Sequence, residues 1–166
     1  MRRFLGLIVF LTGCMAAAGL ATAMAGDNNN FSTHLAGRNE VPPRDTQAQG
    51  QAIFHVNEAG TALEYQLIVA NLQNVTQAHI HCGAPGVNGP IVVFLFGLVP
   101  SGVTENGILA EGTITASNLI TRPDSAECPG GVGNFSQLIE KIRTGQAYVN
   151  AHRLLFPGGE IRGELR

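Results

Sequence analysis

The sequence predicts a single all-β domain of about eight short strands and one short helix, arranged as a sandwich or barrel, on three observations. Apolar residues recur at every second position through much of the chain. Clusters of Gly, Pro, Asn and Asp punctuate these runs at short intervals. Helical spacing occurs in one segment only, so strands do not alternate with helices as a βαβ sheet requires, and no internal repeat is visible.

The alternation begins at Phe31, with Phe31, Thr33 and Leu35 on one face of a strand. Arg38 to Arg44 holds Pro42-Pro43, which a central strand does not tolerate, and reads as a loop. Ala52, Phe54 and Val56 alternate with Ile53 and His55. After Asn57-Glu58-Ala59-Gly60, Leu63, Tyr65, Leu67 and Val69 alternate with Glu64 and Gln66, so the pair reads as a hairpin. Val75 to Cys82 is the next strand. Pro90 to Phe96 carries an unbroken apolar run between Gly89 and Gly97, as expected of a strand buried on both faces. Asn106-Gly107 marks a tight turn before a strand over Ile108 to Thr115. Ala116 to Gly133 reads as a long loop. In the one helix, Asn134 is the cap, Gln137 follows three residues later, Leu138, Ile139 and Ile142 form the apolar stripe, and Gly145 ends it. Two strands, Ala147 to Leu154 and Glu160 to Leu165, joined through Phe156-Pro157-Gly158-Gly159, close the chain.

The N-terminus has a different composition. Arg2 and Arg3 precede an apolar run from Phe4 to Leu11 and a small-residue stretch ending Ala23-Met24-Ala25, the pattern of a cleaved signal peptide over residues 1–25. Small residues interrupt the run and no basic stop-transfer cluster follows, which disfavours a membrane anchor and leaves no transmembrane span in the mature chain. Leu11-Thr12-Gly13-Cys14 also resembles a lipoprotein box with Cys14 as the lipidated residue. The apolar continuation from Met15 to Ala25 argues for the cleaved leader instead, because a lipidated cysteine is usually followed by a polar spacer. Either route leads to a secreted, periplasmic or extracellular protein. Residues 26–30 form a polar, flexible lead-in, and residues 31–166 form the domain.

Without its leader the chain has 8 basic and 12 acidic residues, a net charge of −4. Nucleic acid requires clustered Lys and Arg, and no basic stripe is present, so nucleic acid is excluded as the main partner. Two cysteines remain, Cys82 and Cys128. In an oxidising compartment they most simply form one disulfide, closing a loop whose constraint is worth roughly 4 kcal/mol on the chain-entropy model. Thiolate metal ligation is the poorer reading, because the two lack C-x-x-C spacing.

No nucleophile elbow, phosphate loop or H-E-x-x-H motif appears, and the carboxylates are too scattered to pair as acid and base. No catalytic residue is named. The histidines are more informative. His79 and His81 flank Ile80, and residues two apart on a strand share a face, so both imidazoles can reach one ion. On a later strand Tyr148, Asn150 and His152 share a face, and His152 arriving beside the pair completes a three-nitrogen site suited to copper or zinc. The plainer reading is that these histidines brace loop backbone. His34 and His55 are isolated and read as surface residues. In the terminal strand Ile161 and Leu165 face the core, while Glu160, Arg162 and Glu164 face away. Arg162 then forms a structural ion pair, or grips Glu40 or another loop carboxylate and fixes a loop near the histidines.

Four motifs in order carry a family resemblance. They are Leu35-Ala36-Gly37-Arg38-Asn39-Glu40-Val41-Pro42-Pro43, then Ala78-His79-Ile80-His81 with Gly86-x-Asn88-Gly89-Pro90, then Tyr148-Val149-Asn150-x-His152, and Pro157-Gly158-Gly159-Glu160-Ile161-Arg162-Gly163. From about Phe31 to Leu165 the chain resembles the CHRD domain, named for chordin and widespread in exported microbial proteins. The resemblance implies an immunoglobulin-like β-sandwich, distantly similar to copper–zinc superoxide dismutase. It implies a secreted or envelope-associated, non-catalytic binding or structural module whose partner is an unspecified extracellular or envelope protein or ligand. The dismutase likeness points to His79, His81 and His152 as ligands of a single copper or zinc ion, and Glu40, Asn150, Glu160 and Arg162 are expected as structural or supporting residues around them. No histidine lies between His81 and His152, so a bridged two-metal site and dismutation have no counterpart here.

Overall fold

The computed structural model describes residues 29–166. The leader over residues 1–25, Cys14 and all but the end of the lead-in lie outside the described residues. Seven strands and one short α-helix make up the described chain: β1 (Asn30–Ala36), β2 (Gln49–Val56), β3 (Leu63–Cys82), β4 (Ile91–Phe96), β5 (Val103–Ile114), α1 (Phe135–Arg143), β6 (Ala147–Arg153) and β7 (Phe156–Glu164). β1 therefore starts at the last residue of the expected lead-in.

The class is all-β, with one strand fewer than expected. The strands read separately at Leu63–Val69 and Val75–Cys82 are one continuous β3. It bends where Asn71 and Asn74 take positive φ, +57° and +53°. Asn tolerates this left-handed region better than most side chains, so the bend passes without ending the strand. The two halves of β3 have different neighbours. Leu63–Ala70 pairs with β2, and Ala78–Cys82 pairs with β4 and β6, while β5 runs along the first half and past the bend. The path β2–β1–β7–β6–β3 returns to β2 through the β2–β3 pairing, so the strands form one sheet closed on itself into a barrel. The β1–β7 seam is narrow, with Ala36 opposite Arg162.

Other local expectations shift for local reasons. Asn106-Gly107 lies inside β5, where Gly107 pairs with Val69 and the Asn106 carboxamide oxygen accepts from the Asn71 amide, serving the bend in β3 instead of a turn. The β6–β7 turn is Leu154–Leu155, and Phe156 to Gly159 are already strand. β4 is not buried on both faces, because Phe94 is 44% exposed. The helix follows its sequence cues: Asn134 Oδ1 accepts from the Gln137 amide at 3.0 Å, and Phe135, Leu138, Ile139 and Ile142 are buried.

The barrel interior is the apolar core, with Phe31, Leu35, Ala52, Phe54, Leu63, Leu67, Ile80, Val149 and Ile161 among its residues. Cys82 and Cys128 form a disulfide with their Cα atoms 5.4 Å apart, tying the Ala116–Gly133 segment to the end of β3. The second half of β3 and nearly all of β6 are buried on both faces. The inner face holds Ala78, Ile80, Cys82, Ala147, Val149 and Ala151. Their alternates point outward into a second, polar layer covered by the loops around residues 37–48 and 83–90.

Candidate metal centre

Strand register assembles the polar layer in rows. His79 lies opposite Asn150, which lies opposite Arg162; one step along, His81 lies opposite Tyr148, which lies opposite Glu164. His152 sits opposite Gln77, two residues beyond the His79 row. Alternation puts all these side chains on one face. His79, His81 and His152 converge so that one ring nitrogen from each lies within 4.8 Å of the other two, and all three residues are buried. No other group of three histidine, cysteine or carboxylate side chains among the described residues comes together in this way.

Hydrogen bonds fix the ring protons. His81 Nδ1 lies 2.8 Å from the Gly89 carbonyl, and His152 Nδ1 lies 2.9 Å from the Pro157 carbonyl. A carbonyl only accepts, so both Nδ1 atoms carry hydrogen and both Nε2 atoms present lone pairs. His152 Nε2 is 3.1 Å from His79 Nδ1 and 2.9 Å from Asn150 Oδ1. His81 Nε2 and His79 Nε2 are buried with no hydrogen-bond partner. His79 turns Nδ1 toward His152 Nε2, so its own Nε2 points away from that contact, while His152 Nε2, Asn150 Oδ1 and His81 Nε2 are acceptors once both Nδ1 protons are assigned. Two nitrogens bound to one ion at about 2.0–2.1 Å stand about 2.9–3.4 Å apart for angles near 90–110°, and the His79–His152 spacing falls in that interval.

The rings are held in a hydrophobic and aromatic frame. Phe94 and His79 meet in a T-shaped pair with centroids 4.5 Å apart, and Tyr148 stacks on His81 at 4.7 Å with 10° between the planes. Burial pushes the His79 imidazole down to about 3, helped by its two histidine neighbours, and pushes His81 down to about 4. His152 is lowered by burial as well. Neutral imidazole is the form that binds metal, so protons do not compete for these nitrogens near neutral pH.

A model of the CHRD domain family matches residues 31–165. The chain belongs to the CHRD domain family. No curated protein and no solved structure matches it.

The supporting residues expected in this CHRD domain occupy distinct places. Asn150 stands beside His152 and meets Glu40 over Gly159, whose φ of +114° and lack of Cβ let the three pack together. Glu40 is buried, its Oε1 has no hydrogen-bond partner, and burial raises its carboxyl to about 7 against the pull of Arg162 and Arg44. Glu160 turns to Thr46 Oγ1 at 2.6 Å and Arg153 Nε at 3.1 Å, bracing the Thr46 segment against β7. Arg162 grips Glu164 Oε1 at 2.9 Å from both Nε and Nη2, so its salt-bridge partner is the neighbouring strand residue and not Glu40. His34 and His55 are exposed on β1 and β2. Sequence reasoning gave no role to Phe94, Gly89 or the ring of Tyr148. The signal for Tyr148 was its place two residues before Asn150 and four before His152 on one face of a strand.

Proposed function

We propose that this CHRD domain is an exported metal-binding module in which His79, His81 and His152 hold one copper or zinc ion. The observation that carries the reading is the convergence of three buried imidazoles, with one ring nitrogen from each within 4.8 Å of the other two and with His81 Nε2 lacking a hydrogen-bond partner. Burying acceptors without donors is costly, and a cation relieves that cost. Imidazole suits both metals, and the general order of affinities makes Cu(II) the tighter of the two. Three protein nitrogens leave a coordination position for an outside ligand. Export is supported by the basic, apolar and small-residue leader and by the Cys82–Cys128 disulfide, which an oxidising compartment favours. No helix among the described residues is long and apolar enough to cross a membrane.

The test uses the metal-free domain with one equivalent of Cu(II) or, separately, Zn(II), followed by desalting and elemental analysis. Stoichiometric retention by the wild type, lost in a folded His79→Ala/His81→Ala variant, is expected. A wild type that keeps neither metal overturns the proposal and leaves a recognition scaffold braced by histidines.

A further inference from the structure

Arg162 has no exposed surface, yet Glu164 alone does not account for how its guanidinium is used. A buried charge must be paired, and one carboxylate oxygen satisfies that need. The remaining contacts all lead toward His81. The guanidinium carbon lies 3.4 Å from the centroid of the Tyr148 ring, and that ring stacks on His81. Nη1 donates to Asn88 Oδ1 at 3.2 Å, and Nη2 donates to the Ala84 carbonyl at 3.5 Å. Both acceptors lie in the loop whose Gly89 carbonyl takes the proton of His81 Nδ1. The same loop is fastened twice more: the Gly89 amide donates to Tyr148 Oη at 3.2 Å, and Asn88 Nδ2 donates to the Val41 carbonyl at 2.7 Å. Gly89 has no alternative, since a Cβ there would run into the Cys82 carbonyl.

We propose that Arg162 is a positioning residue for His81, locking the ring plane through Tyr148 and the ring tautomer through the Ala84–Gly89 loop, so that Nε2 faces the other two imidazoles as a free lone pair. The proposal rests on the metal-binding reading for its consequence, while its mechanism concerns the metal-free protein. A planar, always-charged fork suits the task because one group covers an aromatic face and holds several acceptors at its edge. Partners of metal-bound histidines commonly set tautomer and ring orientation in this way.

The experiment compares wild type with Arg162→Met and Asn88→Ala, the second altering an exposed side chain. Long-range proton–nitrogen NMR on metal-free, ¹⁵N-labelled protein reads the His81 tautomer, and chelator competition reads the Kd for Cu(II). Both variants are expected to populate the Nε2–H form of His81, with Arg162→Met weakening Cu(II) binding by about 10–100-fold and Asn88→Ala by less. A purely structural ion pair would lower the melting temperature and leave the tautomer alone. The inference is overturned if the folded variants keep the wild-type tautomer and a Kd within about twofold of wild type, a margin set by ordinary surface substitutions. If Arg162→Met does not fold, Asn88→Ala decides by the same readings. Failure of the wild type to take Cu(II) would sink the metal reading, whereas the tautomer comparison would still judge Arg162.

Discussion

His79 and His81 are neutral in the folded protein well below the pH at which free histidine protonates, and burial lowers His152 in the same direction, which has a thermodynamic consequence. In the unfolded chain each imidazole returns to about 6.5. Below that pH the unfolded state binds protons that the folded state refuses, so the histidines' contribution is complete above pH 6.5 and shrinks as pH falls toward about 3 for His79 and about 4 for His81. The slope is about 1.4 kcal/mol per pH unit for His79 and for His81 between the folded value of each and 6.5, and His152 adds to it in the same direction. Glu40, raised from 4.5 to about 7, acts oppositely: its contribution is complete below pH 4.5 and is lost as pH rises through about 7. Glu164 is raised by burial too and acts the same way. Three histidines oppose two carboxyls, so thermal unfolding of the metal-free domain should show a higher Tm at pH 6.5 than at pH 4.5. An equal Tm at the two values would contradict the burial of the rings. Glu40→Gln should steepen the rise in Tm between pH 4.5 and 6.5, because it removes a carboxyl that opposes the histidines over that interval, read in the same melts. At this scale the sequence revealed much: alternation alone put His79 beside His81 on one face and His152 in line with Asn150 and Tyr148. It did not reveal the tautomers, because these depend on the Gly89 carbonyl, which a loop delivers, and on the Pro157 carbonyl at the start of β7, which the β6–β7 turn brings back to His152.

At the scale of elements, the sequence was most legible where one residue type satisfies one local need. Asn134 caps α1 because its side chain meets an amide that has no helical acceptor, and Phe31, Thr33 and Leu35 face inward because β1 has one buried face. It was least legible where a residue serves a neighbouring strand. Asn106-Gly107 has turn chemistry, but its work is done against the bend at Asn71. The Pro157-Gly158-Gly159 run looks like a turn, but it is the strand segment that receives the His152 proton and leaves room for Glu40. The Cys82–Cys128 link belongs to this scale as well. Cys82 follows His81 directly but points into the core, so the disulfide stabilises the wall behind the site without contributing a ligand. Replacing both cysteines by serine should lower unfolding stability by roughly 4 kcal/mol or less, measured by urea titration. A loss of a few tenths of a kcal/mol would mean that the long loop stays ordered without its tether.

Over the whole molecule, the family resemblance and the strand count gave the all-β class, whereas closure of the sheet depends on the long-range pairings Ala36–Arg162 and Gln49–Ala70, which no local pattern encodes. The same closure accounts for the burial of the site. Strands whose inner faces build the apolar core must put their alternate side chains somewhere, and the loops around residues 37–48 and 83–90 turn that outer face into a sealed polar layer. The domain therefore has two interiors sharing one wall, one oily and one polar, each with its own chemistry.

The unbroken course of β3 through both halves of the barrel has a further consequence for how the molecule opens. An amide in the Leu63–Ala70 stretch and one in the Ala78–Cys82 stretch belong to a single ribbon, the first half held by β2 and the second by β4 and β6 within the same closed sheet. In hydrogen–deuterium exchange the two stretches should share one slow rate, set by complete opening of the domain. Markedly faster exchange at the histidine end would instead show that this end breathes independently, giving ions a route in that requires no global unfolding.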